Sequence, residues 1–262
     1  MHTQLQSGRS APWLNKAPEV TLAFWIIKIL STTVGETGAD YLAVDAGWGQ
    51  GATRGLTAAL LAIALCAQFR TRRYTPWIYW VTVVLVSVVG TQVTDLLTDG
   101  LGVSLYASST AFAAALGGIF ALWQRAEGTL SIQAVVTPRR EAFYWLAILC
   151  TFALGTAAGD LATEALAMGF TWGVAAFAAL LAITFAAWRL GGPPVTTFWI
   201  AYILTRPFGA ALGDLLTQSR DYGGLGMGAL RTSALFLAVI AVLVAMAQLG
   251  QPAARDEGRL PR

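Results

Sequence analysis

The sequence predicts an all-α integral membrane protein of eight transmembrane helices, built as four parallel helical-hairpin repeats with pseudo-symmetry. Three observations predict it. Hydrophobic residues make up 56% of the 262 residues and charged residues only 12%, where a soluble domain carries about 25% charged residues. Eight apolar stretches fall near residues 20–42, 53–70, 77–98, 102–124, 142–165, 170–189, 195–218 and 228–249; at 1.5 Å of rise per residue each suits roughly 30 Å of hydrocarbon. Finally, one pattern is written four times: an aromatic–Trp pair, nine residues, a Gly, four residues, an Asp. The copies are Phe24-Trp25–Gly35–Asp40, Tyr79-Trp80–Gly90–Asp95, Tyr144-Trp145–Gly155–Asp160 and Phe198-Trp199–Gly209–Asp214.

These stretches form one membrane domain, residues 20–249, between a tail at 1–19 and a tail at 250–262, with repeats at about 20–70, 76–124, 140–189 and 195–249. Pro18, Pro76, Pro138 and Pro194 stand before the aromatic–Trp pairs; proline is tolerated where a helix begins because its missing N–H would be unpaired there anyway. Two spans return the chain to its starting side, so the repeats are parallel rather than inverted. The odd helices are expected to meet at the centre, in a pseudo-fourfold or a nested twofold arrangement. The second helix of each hairpin is plainer, as in LTAALLAIAL and VAAFAALLAI, and reads as an outer support. Trp favours the membrane interface, so the four Trp residues read as belt anchors and each Asp falls in the outer third of the bilayer. The Gly before each Asp marks either a close approach of helix backbones or a local break.

Orientation follows from the basic residues. Twelve Lys and Arg flank one side (Arg9, Lys16, Arg70, Arg72, Arg73, Arg125, Arg139, Arg140, Arg189, Arg255, Arg259 and Arg262) and three the other (Arg54, Arg220, Arg231). By the positive-inside rule both termini are expected in the cytoplasm. This bias accounts for the net charge of +3 and calls for no nucleic acid. Residues 1–19 lack the pattern of a signal peptide. Cys66 and Cys150 sit in apolar helices without a CxxC context and His2 is the one histidine, so zinc or copper ligation is not expected.

The chemistry is concentrated in acids. A second carboxylate stands four residues from the repeated Asp in three copies: Glu36 before Asp40, Asp99 after Asp95 and Glu164 after Asp160, with Gln218 after Asp214. That spacing puts both groups on one helix face. The odd helices thus present seven carboxylates near their C-terminal ends, where the helix dipole disfavours negative charge and burial adds a desolvation cost. Hydroxyl and amide groups accompany them: Thr32, Thr33, Thr91, Gln92, Thr94, Thr98, Thr156, Thr163, Thr217 and Gln218. Two basic residues, Lys28 and Arg206, lie within odd helices and are expected to pair with these acids. Carboxylate, hydroxyl and amide oxygens suit hard cations. The repeated acids could instead staple helices together.

An enzyme is not expected. Asp160 and Asp214 follow glycines within spans, but the GxGD pattern of intramembrane aspartyl proteases fails at Ala157 and Ala211. No usable His serves a triad, the phosphate-loop and dinucleotide fingerprints are absent, and no cofactor is implied.

The run FWIIKILSTTVGETGAD, residues 24–40, resembles the signature of a bacterial family of uncharacterised multi-pass membrane proteins, FW-x-x-K-x-L-x-T-T-x-G-E-T-x-x-D. FWIAYILTRPFGAALGDLLTQ, residues 198–218, is similar to that family's last repeat. The family implies the repeat architecture and no activity.

The residues themselves lead to an expected cation transporter in the lipid bilayer, with a divalent metal such as Mn²⁺ as substrate, and the acid-lined site could exchange protons. In that scheme Asp40, Asp95, Asp160 and Asp214 form the central metal site and Glu36, Asp99 and Glu164 extend it outward. Thr98, Thr163, Thr217 and Gln218 supply neutral oxygens, and Lys28 and Arg206 are internal counter-charges that occupy the acids when the cation leaves. The alternative class is a non-transporting receptor or assembly protein whose acids are structural.

Overall fold

The computed structural model describes residues 15–41 and 49–250, which form eight α-helices and no strand: α1 (Leu22–Asp40), α2 (Gln50–Arg70), α3 (Pro76–Asp95), α4 (Leu105–Glu127), α5 (Pro138–Asp160), α6 (Gly169–Arg189), α7 (Pro194–Thr217) and α8 (Ala229–Leu249). Pro76, Pro138 and Pro194 are the first residues of α3, α5 and α7. The Thr21, Ser104 and Thr137 side chains accept from Phe24 N, Ala107 N and Arg140 N, capping α1, α4 and α5 and satisfying donors that have no intrahelical partner. α4 closes on Gly128 at φ 71°, a left-handed turn that glycine adopts without steric cost.

Six of these helices, α2, α3, α4, α5, α6 and α8, are long and apolar enough to cross a membrane. The other two, α1 and α7, carry the buried charges Lys28, Glu36 and Arg206. Buried residues make up 50% of the apolar stretch of α3 and 67% of that of α5, but only 11% to 22% of those of α2, α4, α6 and α8. The odd helices are therefore the interior and the even helices the exterior, whose apolar outer faces suit lipid.

The four odd helices pack as a closed ring in the order α1, α3, α5, α7 and back to α1. Here the structure modifies the expected self-contained hairpins: each even helix packs chiefly on the odd helix of the following repeat, α2 on α3, α4 on α5 and α6 on α7, and α8 closes the circle on α1. Thr57 of α2 donates to Gln92 Oε1 of α3 at 2.6 Å, and Ser233 of α8 meets Thr37 of α1 at 2.6 Å. A fourfold ring thus replaces the choice the sequence left open.

The repeated motif is the joint of this ring. The aromatic residue of each pair packs on the Trp of the next repeat: Phe24 on Trp80 at 5.6 Å between ring centroids, Tyr79 on Trp145 at 5.5 Å, Tyr144 on Trp199 at 6.4 Å and Phe198 on Trp25 at 5.6 Å. This corrects the reading of the Trp residues as belt anchors, because Trp80, Trp145 and Trp199 are buried in the ring. They stand where four helices converge, so their apolar area is covered by neighbours rather than by lipid. The repeated Gly works the same way. A methyl on Gly90 would lie 2.6 Å from Phe152 Cβ, and one on Gly209 would lie 2.6 Å from Thr32 Cγ2. Gly35 likewise faces Ser87, and Gly155 the stem of Arg206. Close backbone approach is therefore its role, and the helices run through it unbroken. The irregularity falls later: directly after Asp95 and Asp160 the backbone widens into π-helical turns, Leu96–Gly100 and Leu161–Ala165. Such turns are rare and frequent at functional sites.

Candidate functional site at the centre of the ring

Lining up the four repeats on their Trp places Thr32, Ser87, Phe152 and Arg206 in one layer of the ring and Glu36, Thr91, Thr156 and Ala210 in the next, one helical turn further on. The four odd helices bring these two layers together on the axis. Arg206 is fully buried. Its Nη2 lies 2.9 Å from Glu36 Oε2, donates to Thr156 Oγ1 at 2.6 Å and contacts Thr91 Oγ1. Its Nη1 donates to Thr32 O at 2.8 Å and its Nε to Phe152 O at 3.3 Å. Thr91 also donates to Glu36 Oε2 at 3.2 Å. One guanidinium on α7 is thus held by α1, α3 and α5 together. In the fourth repeat Ala210 stands where the others carry Glu36, Thr91 and Thr156, and Arg206 reaches into that layer from one turn before. Pro207 follows within α7 and, lacking an N–H, removes one helical hydrogen bond beside the guanidinium.

Lys28 lies one turn toward the Trp end of the ring and is also fully buried. Its Nζ donates to Thr32 Oγ1 at 3.3 Å and sits 4.0 Å and 4.3 Å from the ring centroids of Phe152 and Tyr202. Among the described residues no carboxylate pairs with it. Among the described residues, these two layers and the turn before them hold two basic side chains, Lys28 and Arg206, and the carboxylate of Glu36, with Lys28 supported by a hydroxyl and two aromatic faces. Beyond Lys28, the Tyr79 and Tyr144 hydroxyls bond to one another, and among the described residues the buried Tyr202 hydroxyl has no hydrogen-bond partner.

The Asp end is more open. Asp95, Asp160 and Asp214 are half-buried, and Asp99 is exposed. Thr163 is buried, and Thr98, Thr217 and Gln218 are half-buried. The three hydroxyls donate to the carbonyl one turn back, Thr98 to Thr94 O at 3.1 Å, Thr163 to Gly159 O at 3.0 Å and Thr217 to Gly213 O at 2.9 Å, which leaves their lone pairs available. The side chains of Asp40 and Glu164 lie outside the described residues. Among the described residues no three His, Cys, Asp or Glu side chains gather as a metal site. Among the described residues, the acid that pairs with Arg206 is Glu36. Outside the ring a groove of about 580 Å³ runs between α1, α6 and α7, lined by Trp25, Leu181, Phe185, Trp188 and Phe198 and by no charged side chain.

The sequence led to the expectation that Arg206 pairs with one of the acids but left open which, because Glu36 was grouped with Asp40 on its own helix. Aligning the repeats on Trp supplies the signal, since it sets Glu36 beside Thr91 and Thr156.

The fold and site define an all-helical, four-repeat protein with membrane-length outer helices around a buried ion pair. The chain belongs to the family described as Repeat of Unknown Function (DUF347), whose model matches four times, at residues 23–74, 78–129, 143–190 and 197–249. No curated protein and no solved structure matches it.

Proposed function

We propose that the protein is a membrane transporter of a cation, with all eight helices crossing the bilayer of a bacterial inner membrane and both termini in the cytoplasm. The observation that carries this reading is Arg206, fully buried and held by residues of the other three repeats against the carboxylate of Glu36. Desolvating ions costs several kcal/mol each, and ionisable groups inside a membrane segment mark substrate and ion pathways. A divalent metal such as Mn²⁺ is the substrate class that the oxygen-rich residues suit. The acids at the Asp end, Asp40, Asp95, Asp160, Asp214, Asp99 and Glu164, concentrate the cation from outside. Thr98, Thr163, Thr217 and Gln218 supply neutral oxygens. The cation then competes with Arg206 for Glu36, and the return of the guanidinium drives unloading. Lys28 opposes a second positive charge on the axis, so loading is coupled to loss of positive charge there, as in exchange for a proton.

Flux into proteoliposomes tests it, with Mn²⁺, Mg²⁺, Ca²⁺, Na⁺ and K⁺ each offered outside and Glu36→Gln alongside. Uptake of one cation, lost in the variant, is expected. No flux above protein-free vesicles for any of them, with the variant merely less stable, would sink the reading. That outcome favours the second reading, a receptor or assembly protein in which the network is structural; the full set of hydrogen bonds around Arg206 supports it.

A further inference from the structure

The segment before α1 lies across the Trp end of the ring and ties two of its helices together. The Asn15 carbonyl accepts from Tyr74 N at 3.0 Å in the link before α3. Lys16 N donates to Val135 O at 3.0 Å in the link before α5. The Lys16 ammonium donates to Glu141 Oε2 at 2.6 Å, in the first turn of α5, and to Phe69 O at 3.2 Å, at the end of α2. Gln68 Nε2 holds the other carboxylate oxygen at 3.3 Å. Lys16 is 8% exposed, Ala17 4% and Glu141 0%. The next residues, 19–21, are exposed and join this strap to α1.

We propose that Asn15–Pro18 is a releasable latch, which holds the α3 and α5 ends of the ring shut through the Lys16–Glu141 pair. The buried carboxylate makes it releasable. A buried ion pair is poor glue, because desolvation offsets much of the attraction. When the strap lifts, the end that it covers meets water, and Glu141 and Lys16 are both rehydrated. The cost of release is then confined to a few hydrogen bonds and the small apolar area of Ala17 and Pro18. Segments held by few contacts open locally, well below the free energy of global unfolding. Freed of the strap, α3 and α5 lose a connection that spans both of their leading links at once. The latch is a property of the ring end and stands whatever the ring carries.

Thiol accessibility tests it on the full chain. Cys66 and Cys150 are replaced by Ala, Ala17→Cys is introduced, and labelling by a soluble maleimide is timed alongside thermal unfolding. Lys16→Met is expected to speed labelling about tenfold or more while the melting temperature stays within about 2 °C, because only local opening is affected. The charge-reversed pair, Lys16→Glu with Glu141→Lys, is expected to return labelling toward the slow rate. Unchanged labelling in Lys16→Met overturns the latch. So does faster labelling matched by a lower melting temperature, which makes the strap a staple of the fold, and so does fast labelling in the charge-reversed pair.

Discussion

The Arg206 guanidinium of the fourth repeat lies 2.9 Å from the Glu36 carboxylate of the first, 170 residues away in the chain, with the hydroxyls of Thr91 and Thr156 closing around it. The contact joins the last repeat to the first and so sits where the ring closes. Four copies of one motif build a symmetric frame, and its chemistry comes from the positions where the copies differ.

Removing one side of this contact leaves the other buried and uncompensated. Arg206→Met is expected to lower unfolding free energy by about 3–5 kcal/mol. Adding Glu36→Gln to it removes the stranded charge and is expected to recover part of the loss. A double-mutant cycle on the detergent-solubilised protein measures the coupling, and additive losses would show that the two groups do not interact.

Lys28 makes the opposite prediction. Its ammonium is fully buried, with Thr32 and two rings for support. Lys28→Met keeps most of the volume and removes the desolvation cost, so stability is expected to rise by about 1 kcal/mol or more. Under the transport reading the same variant loses flux. Thermal unfolding and vesicle uptake on one preparation separate the two effects.

The repeated Gly residues differ from an exposed helical glycine such as Gly117 in what surrounds them. A methyl on Gly90 meets Phe152 Cβ at 2.6 Å and Ala153 N at 3.3 Å, whereas one on Gly117 of α4 meets nothing within 4 Å. Gly90→Ala is expected to destabilise by about 1–3 kcal/mol through overpacking. Gly117→Ala is expected to stabilise by about 0.5–1 kcal/mol, since glycine is entropically costly within a helix. Melting temperatures moving in opposite directions check the pair.

The hydroxyls of Tyr79 and Tyr144 are buried and bonded to each other. Tyr79→Phe alone strands its partner and is expected to cost about 1–3 kcal/mol, whereas the double Phe variant leaves nothing unsatisfied and is expected to be nearly neutral. Chemical denaturation of the three variants tests this asymmetry.

Much of the architecture was legible in the sequence because helix length and apolar runs are local properties. The eight helices stand close to the predicted stretches, and the three prolines at the starts of α3, α5 and α7 mark their beginnings. The spacing of the motif announced four repeats, and the family match carries the same four units. The role of Trp was misread because a Trp near a helix end has the same local pattern whether lipid or a neighbouring helix covers it. The π-helical turns after Asp95 and Asp160 have no signal in hydropathy. Lys16 was counted only among the membrane-flanking charges and Glu141 was not singled out, since nothing along the chain indicates that their links fold over one another.

The sequence by itself determined the helices, their number, the repeat and the residues that bear charge, because each follows from side-chain chemistry and spacing along one segment. Only the tertiary structure decided that the even helices support the next repeat, that Glu36 faces Arg206 rather than another acid, and that Lys28 rests on two aromatic rings. Those pairings depend on which layers of four different helices come level around a common axis. Ring closure sets that register, and it is a property of the whole chain rather than of any repeat.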